Sequence, residues 1–323
     1  MAARRVLILG GTGWLGRHVA AAAVADGAEV VCLARGESGA VPEGARLVRA
    51  DRRDADAYRA VSGHWDEVVE LAYEPTLVTS ALRALAADAA HWTLVSTVSV
   101  YARADEAGAD ESAELVEPAD PTGYADAKVA AERVTLAAVG DRLFVSRPGL
   151  IAGPGDPSDR FGYWPARFRR GGTALAPILA DRFVQVIDVR DLALSLREAG
   201  SRRLAGVVNA VGTPVPMAAA FAEMSALAGF GGEVVEIDDD RLLAAGVTYW
   251  AGPSSLPLWL PAEDVGFVQR SGAAYLRAGG RLRPFGETIA DVLTDEAERG
   301  LDRPRRCGLT AAEEAETLRL LRH

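Results

Sequence analysis

The sequence predicts an α/β protein built on a doubly wound parallel sheet. Over roughly the first 150 residues, short apolar runs alternate with stretches of helical periodicity, as expected of repeated β-α-β units. Short buried runs bounded by helices are typical of strands covered on both faces. A glycine-rich turn also joins the first run to the first helical stretch. Together these observations favour one parallel sheet with helices on both sides.

The strands and helices can be assigned in chain order. The predicted strands are Val6–Leu9, Glu29–Leu33, Arg46–Arg49, Glu67–Leu71, Trp92–Ser96, Leu143–Arg147, Phe183–Ile187 and Val207–Ala210. The predicted helices are Trp14–Val24, Leu77–Ala90, Asp120–Ala138, Asp188 to about Ala199, Met217–Ala228, Glu287–Gly300 and Thr310–Arg322. Asp120 can cap its helix, Pro121 lies near the first turn, and Gly140 follows the end.

The composition argues against several classes of protein. The formal net charge is −10 and there is no basic stripe, so we expect no nucleic-acid partner. No apolar run reaches the roughly 18 residues of a membrane span. The apolar run Val6–Leu9 is too short for a signal peptide, and we therefore expect a cytoplasmic protein. The two cysteines, Cys32 and Cys307, make neither a disulfide framework nor a zinc site, and we predict no metal.

Glycines at positions 10, 13 and 16 lie between the first strand and the first helix, in the sequence GGTGWLG. Such a turn requires backbone torsions that glycine tolerates. It also brings bare amides at a helix N-terminus close to an anionic pyrophosphate. The third glycine allows the helix to pack closely on the strand. The pattern and its position predict a Rossmann-type dinucleotide site.

The end of the second strand indicates which dinucleotide binds. A site for NAD usually has an acidic residue there, whereas this chain has Ala34 followed by Arg35. A guanidinium can hold a 2′-phosphate through two hydrogen bonds, and Arg17 is a second candidate for that contact. Both arginines could instead be solvated surface groups. Asp51, after the third strand, could meet the adenine amino group or be an ordinary turn residue. We favour NADP(H) over NAD(H).

Tyr124 and Lys128 are four residues apart in a predicted helix, so their side chains share one face. A phenol has an ordinary pKa of about 10, and a nearby ammonium is expected to lower the pKa of Tyr124. Lys128 is the single lysine among 35 Lys and Arg residues. We infer that arginine cannot replace it, although an exposed pair arising by chance is the alternative.

Hydroxyl side chains follow the fifth strand, at the sheet edge where ligands bind in open α/β sheets. Ser96, Thr97 and Ser99 compete for the role of hydrogen-bonding a substrate oxygen. All three could instead satisfy the local backbone.

These motifs resemble the short-chain dehydrogenase/reductase superfamily, in its extended and atypical branch, the NAD(P)-dependent epimerase/dehydratase family. The matching segments are GGTGWLG at 10–16, STVSVY at 96–101, YADAK at 124–128, RPGLIAGPGD at 147–156 and VIDVRDLA at 186–193. The resemblance implies that Thr97 holds the substrate, Tyr124 is the acid/base, and Lys128 binds ribose. The residues predicted to bind the cofactor are Gly10, Thr12, Gly13, Trp14, Leu15, Gly16, Arg17, Arg35, Asp51, Lys128 and Pro148.

The resemblance also implies two units. Residues 1–155 with about 183–212 would form the NADP-binding domain, and residues 156–182 with about 213–323 would form a smaller substrate-binding lid. The chain departs from the family at two points. The helix asparagine is absent, because Asn209 is the single asparagine and Leu77 takes the helix position. Thr97-Val98-Ser99 replaces the Thr-Asp-Glu of sugar-nucleotide dehydratases, which argues against β-elimination.

Three functions therefore remain as hypotheses. The first is hydride transfer between NADP(H) and a carbonyl or hydroxyl carbon of a small molecule. The second is a sugar-nucleotide epimerase with tightly held cofactor, and the third is a non-catalytic NADP-binding regulator. A homodimer is possible. An arginine-rich segment at Trp164, Arg167, Arg169 and Arg170 could line an anion pocket or form a solvated basic helix face.

Overall fold

A computed structural model describes residues 3–120 and 122–321. The strands are β1 Arg5–Leu9, β2 Glu29–Ala34, β3 Ala45–Arg49, β4 Glu67–Glu70, β5 Trp92–Val95, β6 Leu143–Pro148, β7 Leu150–Ala152, β8 Thr173–Pro177, β9 Phe183–Val184, β10 Val186–Asp188, β11 Gly206–Ala210, β12 Val215–Pro216, β13 Glu233–Ile237, β14 Thr248–Tyr249 and β15 Ser255–Leu256. The helices are α1 Trp14–Ala25, α2 Pro75–Leu85, α3 Tyr124–Val139, α4 Tyr163–Arg170, α5 Val189–Arg202, α6 Met217–Ala228, α7 Asp239–Ala244, α8 Ala273–Arg277, α9 Phe285–Arg299 and α10 Ala311–Leu321.

The main sheet has seven strands in the order β3-β2-β1-β4-β5-β6-β11, and all six pairings are parallel. The strand order reverses between β1 and β4, which is the switch point of a doubly wound sheet. The predicted α/β class and Rossmann topology are confirmed. The carboxyl ends of β1, β2, β4 and β5 therefore lie at one edge, where a ligand is expected.

Alternating side chains of the strands fill two cores on opposite faces of the sheet. Leu7 and Leu9 pack with helices α2 and α3 on one face. Val6 and Ile8 pack with helices α1 and α5 on the other. Because successive strand side chains point to opposite faces, both faces are apolar and both are covered by helices.

Helix α3 begins at Tyr124 rather than at Asp120, so the predicted start and cap are wrong. The Asp120 carboxylate accepts from the backbone amide and hydroxyl of Thr122, and Asp126 accepts from the amides of Ala119 and Asp120. These side-chain bonds stabilise a turn in place of a first helical turn. Pro121 lies outside the described residues. The tyrosine is thus the first residue of the helix and projects from its end.

Two other predicted elements also differ. Helix α2 begins at Pro75 and ends at Leu85, before the predicted Ala90, because the backbone at 88–90 bonds to Trp65 instead. The predicted strand Phe183–Ile187 is divided at Gln185 into β9 and β10. β9 pairs with β12 whereas β10 pairs with β7, and the buried Gln185 side chain bonds to the backbone of Gly212 and Arg270 between them.

A further core lies outside the main sheet. It gathers apolar side chains from helices α4, α6 and α9 and from strands β7 and β8, with Trp164, Phe221 and Trp259 among the largest members. The rings of Trp164 and Phe221 lie 4.4 Å apart between centroids. Across residues 3–120 and 122–321, no helix is long and apolar enough to span a bilayer.

Candidate active site

The glycine turn has the close contacts that its sequence predicts. Gly10 has a φ of +99°, a conformation that favours glycine. A Cβ on Gly16 would lie 2.8 Å from the Cα of Gly11, so the helix can approach the turn only without a side chain there. A Cβ on Gly11 would lie 2.6 Å from the Cβ of Cys32, a restriction that the sequence pattern did not reveal.

The turn opens onto a cleft of about 410 Å³ at the predicted edge of the sheet. Of the predicted cofactor-binding residues, those lining it are Gly10, Thr12, Gly13, Trp14, Leu15, Gly16, Arg35 and Asp51. Arg17 does not line the cleft. Its Nη1 donates to the carbonyl oxygens of Thr12 at 2.7 Å and Ser38 at 2.8 Å, which ties the glycine turn to the loop after β2. The residues present fit a dinucleotide, since bare amides at the start of α1 face an elongated cleft.

The charges at the far end of this cleft are mixed. Arg35 is half-exposed, and its guanidinium lies 3.2 Å from the Glu37 carboxylate. One Asp51 oxygen accepts from the backbone amide of Arg53 at 3.0 Å, as an ordinary turn residue would. Arg53 also forms an exposed ion pair with Glu74 at 2.7 Å. Two arginine side chains therefore border the position after β2, together with the carboxylates that now pair with them.

A second cavity of about 430 Å³ adjoins the first, and Trp14, Leu15 and Leu71 line both. Its wall brings together the predicted Thr97, Tyr124, Lys128 and Pro148. These residues come from the ends of β5 and β6 and from the first two turns of α3. The two cavities thus form a continuous groove across the carboxyl edge of the sheet.

Lys128 is buried, with 3% of its surface exposed. Its Nζ donates to the carbonyl oxygen of Val95 at 2.6 Å and lies 5.5 Å from the ring centroid of Tyr73. Burial lowers the pKa of Lys128 to about 8, against the opposing effect of the Glu70 and Glu132 carboxylates. The ammonium is therefore held at the end of β5, in contact with a tyrosine that sequence reasoning missed.

Tyr124 is half-exposed and faces the ring of Tyr73 edge-on, with 5.1 Å between the ring centroids. Enclosure in the cavity raises the pKa of Tyr124, and the Thr97 hydroxyl and the charge of Arg160 oppose the rise. The expectation that Lys128 acidifies the phenol is wrong for this structure. The lysine ammonium is directed to Val95 and Tyr73, and the cation acting on Tyr124 is Arg160.

The hydroxyl of Thr97 caps a short helical turn while facing the cavity. Its Oγ1 accepts from the backbone amide of Ser99 at 3.1 Å and lies 3.2 Å from the Ser99 hydroxyl. The local-backbone role is thus present, yet the same hydroxyl also interacts with Tyr124. The Ser96 hydroxyl is buried and has no hydrogen-bond partner within the described ranges.

The arginine-rich segment does not form an anion pocket. Trp164 lies in the core outside the main sheet, and the Arg167 guanidinium is buried against the Glu314 carboxylate. Arg169 is exposed and donates to the carbonyl oxygen of Ala228. The alternative prediction of a solvated basic helix face therefore holds only at the end of α4. Asn209 does not line the cavity that holds Tyr124, and its Oδ1 accepts from the Tyr101 hydroxyl at 2.6 Å.

Sequence reasoning missed Tyr73 and Arg160. Tyr73 follows β4 at the same sheet edge as Thr97, so the strand-end rule applied to β5 could have found it. Arg160 lies in an irregular loop, and no local pattern marks it.

The sequence matches the family model described as "NAD dependent epimerase/dehydratase family" over residues 6–194, which is more than half of the chain. The chain belongs to the NAD-dependent epimerase/dehydratase family. This confirms the resemblance drawn from the motifs, and the matched segment contains the glycine turn, the tyrosine and the lysine.

A dehydrogenase is similar to this chain in sequence. The dTDP-6-deoxy-L-talose 4-dehydrogenase (NAD(P)(+)) of Kitasatospora kifunensis is 33% identical over 241 residues, which cover 65% of this chain and 74% of the relative. The family and this relative support an enzyme that uses a nicotinamide dinucleotide.

Solved structures of several proteins with low sequence identity share the fold. An epimerase from Methanothermobacter thermautotrophicus superposes with a TM-score of 0.69 at 16% identity, covering 92% of this chain and 93% of that one. RMD from Pseudomonas aeruginosa, solved with NADPH, superposes with a TM-score of 0.64 at 19% identity, and the match covers 92% of this chain and 100% of RMD. UDP-glucose 4-epimerase from Thermus thermophilus, solved with NAD, has a TM-score of 0.60 at 21% identity, and the match covers 90% of this chain and 98% of the epimerase.

Proposed function

We propose that this protein is an NADP(H)-dependent oxidoreductase that transfers a hydride to or from a carbonyl or hydroxyl carbon of a small molecule. The observation that carries the proposal is that Tyr124, Thr97 and Lys128 line one cavity, which continues into the cleft of the glycine turn. A proton donor and a cofactor site therefore share one groove.

The cofactor would be held along that groove. The glycine turn would take the pyrophosphate, with Arg35 nearest the position of a 2′-phosphate and Asp51 near the adenine end, while Arg17 would support the turn through the Thr12 and Ser38 carbonyl oxygens. Lys128 and Pro148 would lie at the nicotinamide end. When bound, the dinucleotide supplies or accepts the hydride. Release of Arg35 from Glu37 would free its guanidinium for a phosphate, which is the contact that favours NADP(H) over NAD(H).

Tyr124 is suited to give a proton in the reductive direction. Because its pKa is raised, the phenol is protonated at neutral pH and can donate to a carbonyl oxygen as negative charge develops there. The Thr97 Oγ1 accepts from the Ser99 amide and its O–H donates to the Ser99 hydroxyl, so rotation of this O–H away from Ser99 would direct it toward the same substrate oxygen. Lys128, fixed by Val95, can direct its remaining N–H donors into the cavity.

Most of the core outside the main sheet lies in the proposed substrate-binding region, residues 156–182 and about 213–323, and β7 contributes to it from the proposed cofactor-binding domain. The loop at 156–160 of the substrate-binding region borders the cavity that holds Tyr124. This region would enclose the substrate, whereas residues 1–155 with about 183–212 would hold the cofactor.

Purified protein incubated with NADPH and a panel of small aldehydes and ketones tests the proposal. We expect stoichiometric consumption of NADPH with at least one carbonyl compound, and weaker binding of NADH than of NADPH by fluorescence titration. Arg35→Ala should reduce the preference for NADPH, with Arg59→Ala, at an exposed residue that does not line the groove, as the matched control. Isomerised sugar nucleotide without net NADPH consumption would instead indicate an epimerase. Cofactor binding without any turnover would indicate a binding protein.

A further inference from the structure

The guanidinium of Arg160 lies at the cavity that holds Tyr124. It forms no ion pair with a carboxylate within the described ranges. It lines the cavity with Tyr124 and Lys128, and its charge acts on the pKa of Tyr124. Its Nε lies 3.3 Å from the Ser158 hydroxyl oxygen, whereas its two terminal nitrogens have no hydrogen-bond or ion-pair partner among residues 3–120 and 122–321. The outer edge of the guanidinium is therefore free to bind an anion through two parallel hydrogen bonds.

The loop around Arg160 is fixed from both sides. The buried Asp156 carboxylate accepts from the amide of Ser158 at 2.7 Å and from its hydroxyl at 2.9 Å, and the same hydroxyl oxygen faces Arg160. The neighbouring Asp159 has a φ of +61° and accepts from the backbone amide of Arg306 at 2.8 Å. These contacts hold Arg160 in place before any ligand arrives, which reduces the entropy lost on binding.

An aromatic side chain covers one face of the guanidinium. The Cζ of Arg160 lies 5.3 Å from the ring centroid of Trp250, and the Phe267 ring packs edge-on against that tryptophan at 5.6 Å. Trp250 has a φ of +66°, which is strained for a residue with a side chain. The aromatic cover and the strained backbone of Trp250 beside an unpaired cation indicate a built site rather than a surface arginine.

We infer that Arg160 binds an anionic group of the substrate, a carboxylate or a phosphate, next to the carbon that reacts at Tyr124. The inference rests on the proposed function, because it names the substrate class of the same cavity. The part of the substrate that enters this cavity of about 430 Å³, beside the nicotinamide end of the cofactor, therefore combines a carbonyl or hydroxyl carbon with one such anion. Trp250 and Phe267 would contact its apolar part.

Anion binding can be measured without turnover. Wild-type protein with saturating NADPH is titrated by calorimetry with oxalate and, separately, with inorganic phosphate. Saturation with NADPH fills the positions that the phosphates of the cofactor occupy, so the probes cannot bind there. We expect at least one probe to bind, and Arg160→Gln to weaken its binding at least tenfold. Tighter binding of oxalate would indicate a carboxylate substrate, and tighter binding of phosphate would indicate a phosphorylated one.

The variants separate this inference from the proposed function. Tyr124→Phe should retain the affinity for the anion, since its phenol is needed for proton transfer and not for anion binding. Arg59→Gln, which removes an exposed arginine that does not line the cavity, should leave the affinity unchanged, and Arg160→Lys should give an intermediate value. Circular dichroism of each variant checks the fold. Equal affinity in Arg160→Gln and wild type, or no binding of either probe by wild type, would overturn the inference, whatever the turnover assays give.

Discussion

The Nζ of Lys128 lies 2.6 Å from the carbonyl oxygen of Val95. This bond joins α3 to the end of β5, two residues before Thr97, in a position shielded from water. An ammonium in such a place loses hydration, which is why the pKa of Lys128 is lowered to about 8. The chain's single lysine is thus chemically distinct from an exposed one.

The lowered pKa can be measured directly, because lysine labelled with ¹³C at Cε gives a single side-chain resonance. We expect that resonance to titrate near pH 8 in the folded protein without cofactor, and near its ordinary pKa of about 10.4 in urea. The folded protein should therefore lose this positive charge as pH rises through 8, while the unfolded chain keeps it. A midpoint above 10 in the folded protein would mean that the ammonium is solvated.

Tyr73 links the two predicted catalytic side chains through its ring. The ring lies edge-on to Tyr124 and under the ammonium of Lys128. We expect Tyr73→Ala to lower kcat about tenfold, since it removes contacts worth roughly 1–2 kcal/mol, and to shift the pKa of Lys128 upward as water enters. Tyr73→Phe keeps the ring and is the matched control, with kcat within about twofold of wild type. Equal losses in both variants would assign the effect to the hydroxyl instead.

The glycines of the turn differ in what they tolerate. A Cβ at Gly16 would meet the backbone of Gly11 at 2.8 Å, and backbone cannot rotate away. We expect Gly16→Ala to destabilise the protein by about 1–3 kcal/mol, as overpacking does. Gly13 has a φ of −67° and its Cβ would lie 3.4 Å from the nearest atom, so Gly13→Ala should leave the thermal midpoint nearly unchanged. The reverse order of the two midpoints would contradict this account of the turn.

The sequence predicted those parts of the molecule that depend on local pattern. The seven strands of the sheet were located to within one or two residues at each end, because most of them are short buried runs followed by a turn. The spacing of Tyr124 and Lys128 placed both side chains on one wall of a cavity. The glycine turn marked the cofactor cleft for the same reason, since its torsions and contacts are set within a few residues.

The predictions that were wrong or missing concern features that depend on contacts between residues distant in sequence. The strand over 183–187 divides because Gln185 bonds to residues 27 and 85 positions away. Arg160 packs on the ring of Trp250, which lies 90 residues further along the chain, and no periodicity in the sequence predicts that contact. The direction of the Lys128 ammonium is likewise set by Val95, which helix spacing alone does not specify.

The rate of NADPH oxidation by Tyr124→Phe tests most directly whether this phenol delivers the proton. The assay uses the carbonyl compound that wild type reduces best, at saturating cofactor. We expect a fall in kcat of about 10²–10⁴, typical of losing a general acid, with an unchanged Kd for NADPH because the glycine turn is untouched. Turnover near the wild-type rate would contradict the assignment of Tyr124 as the acid.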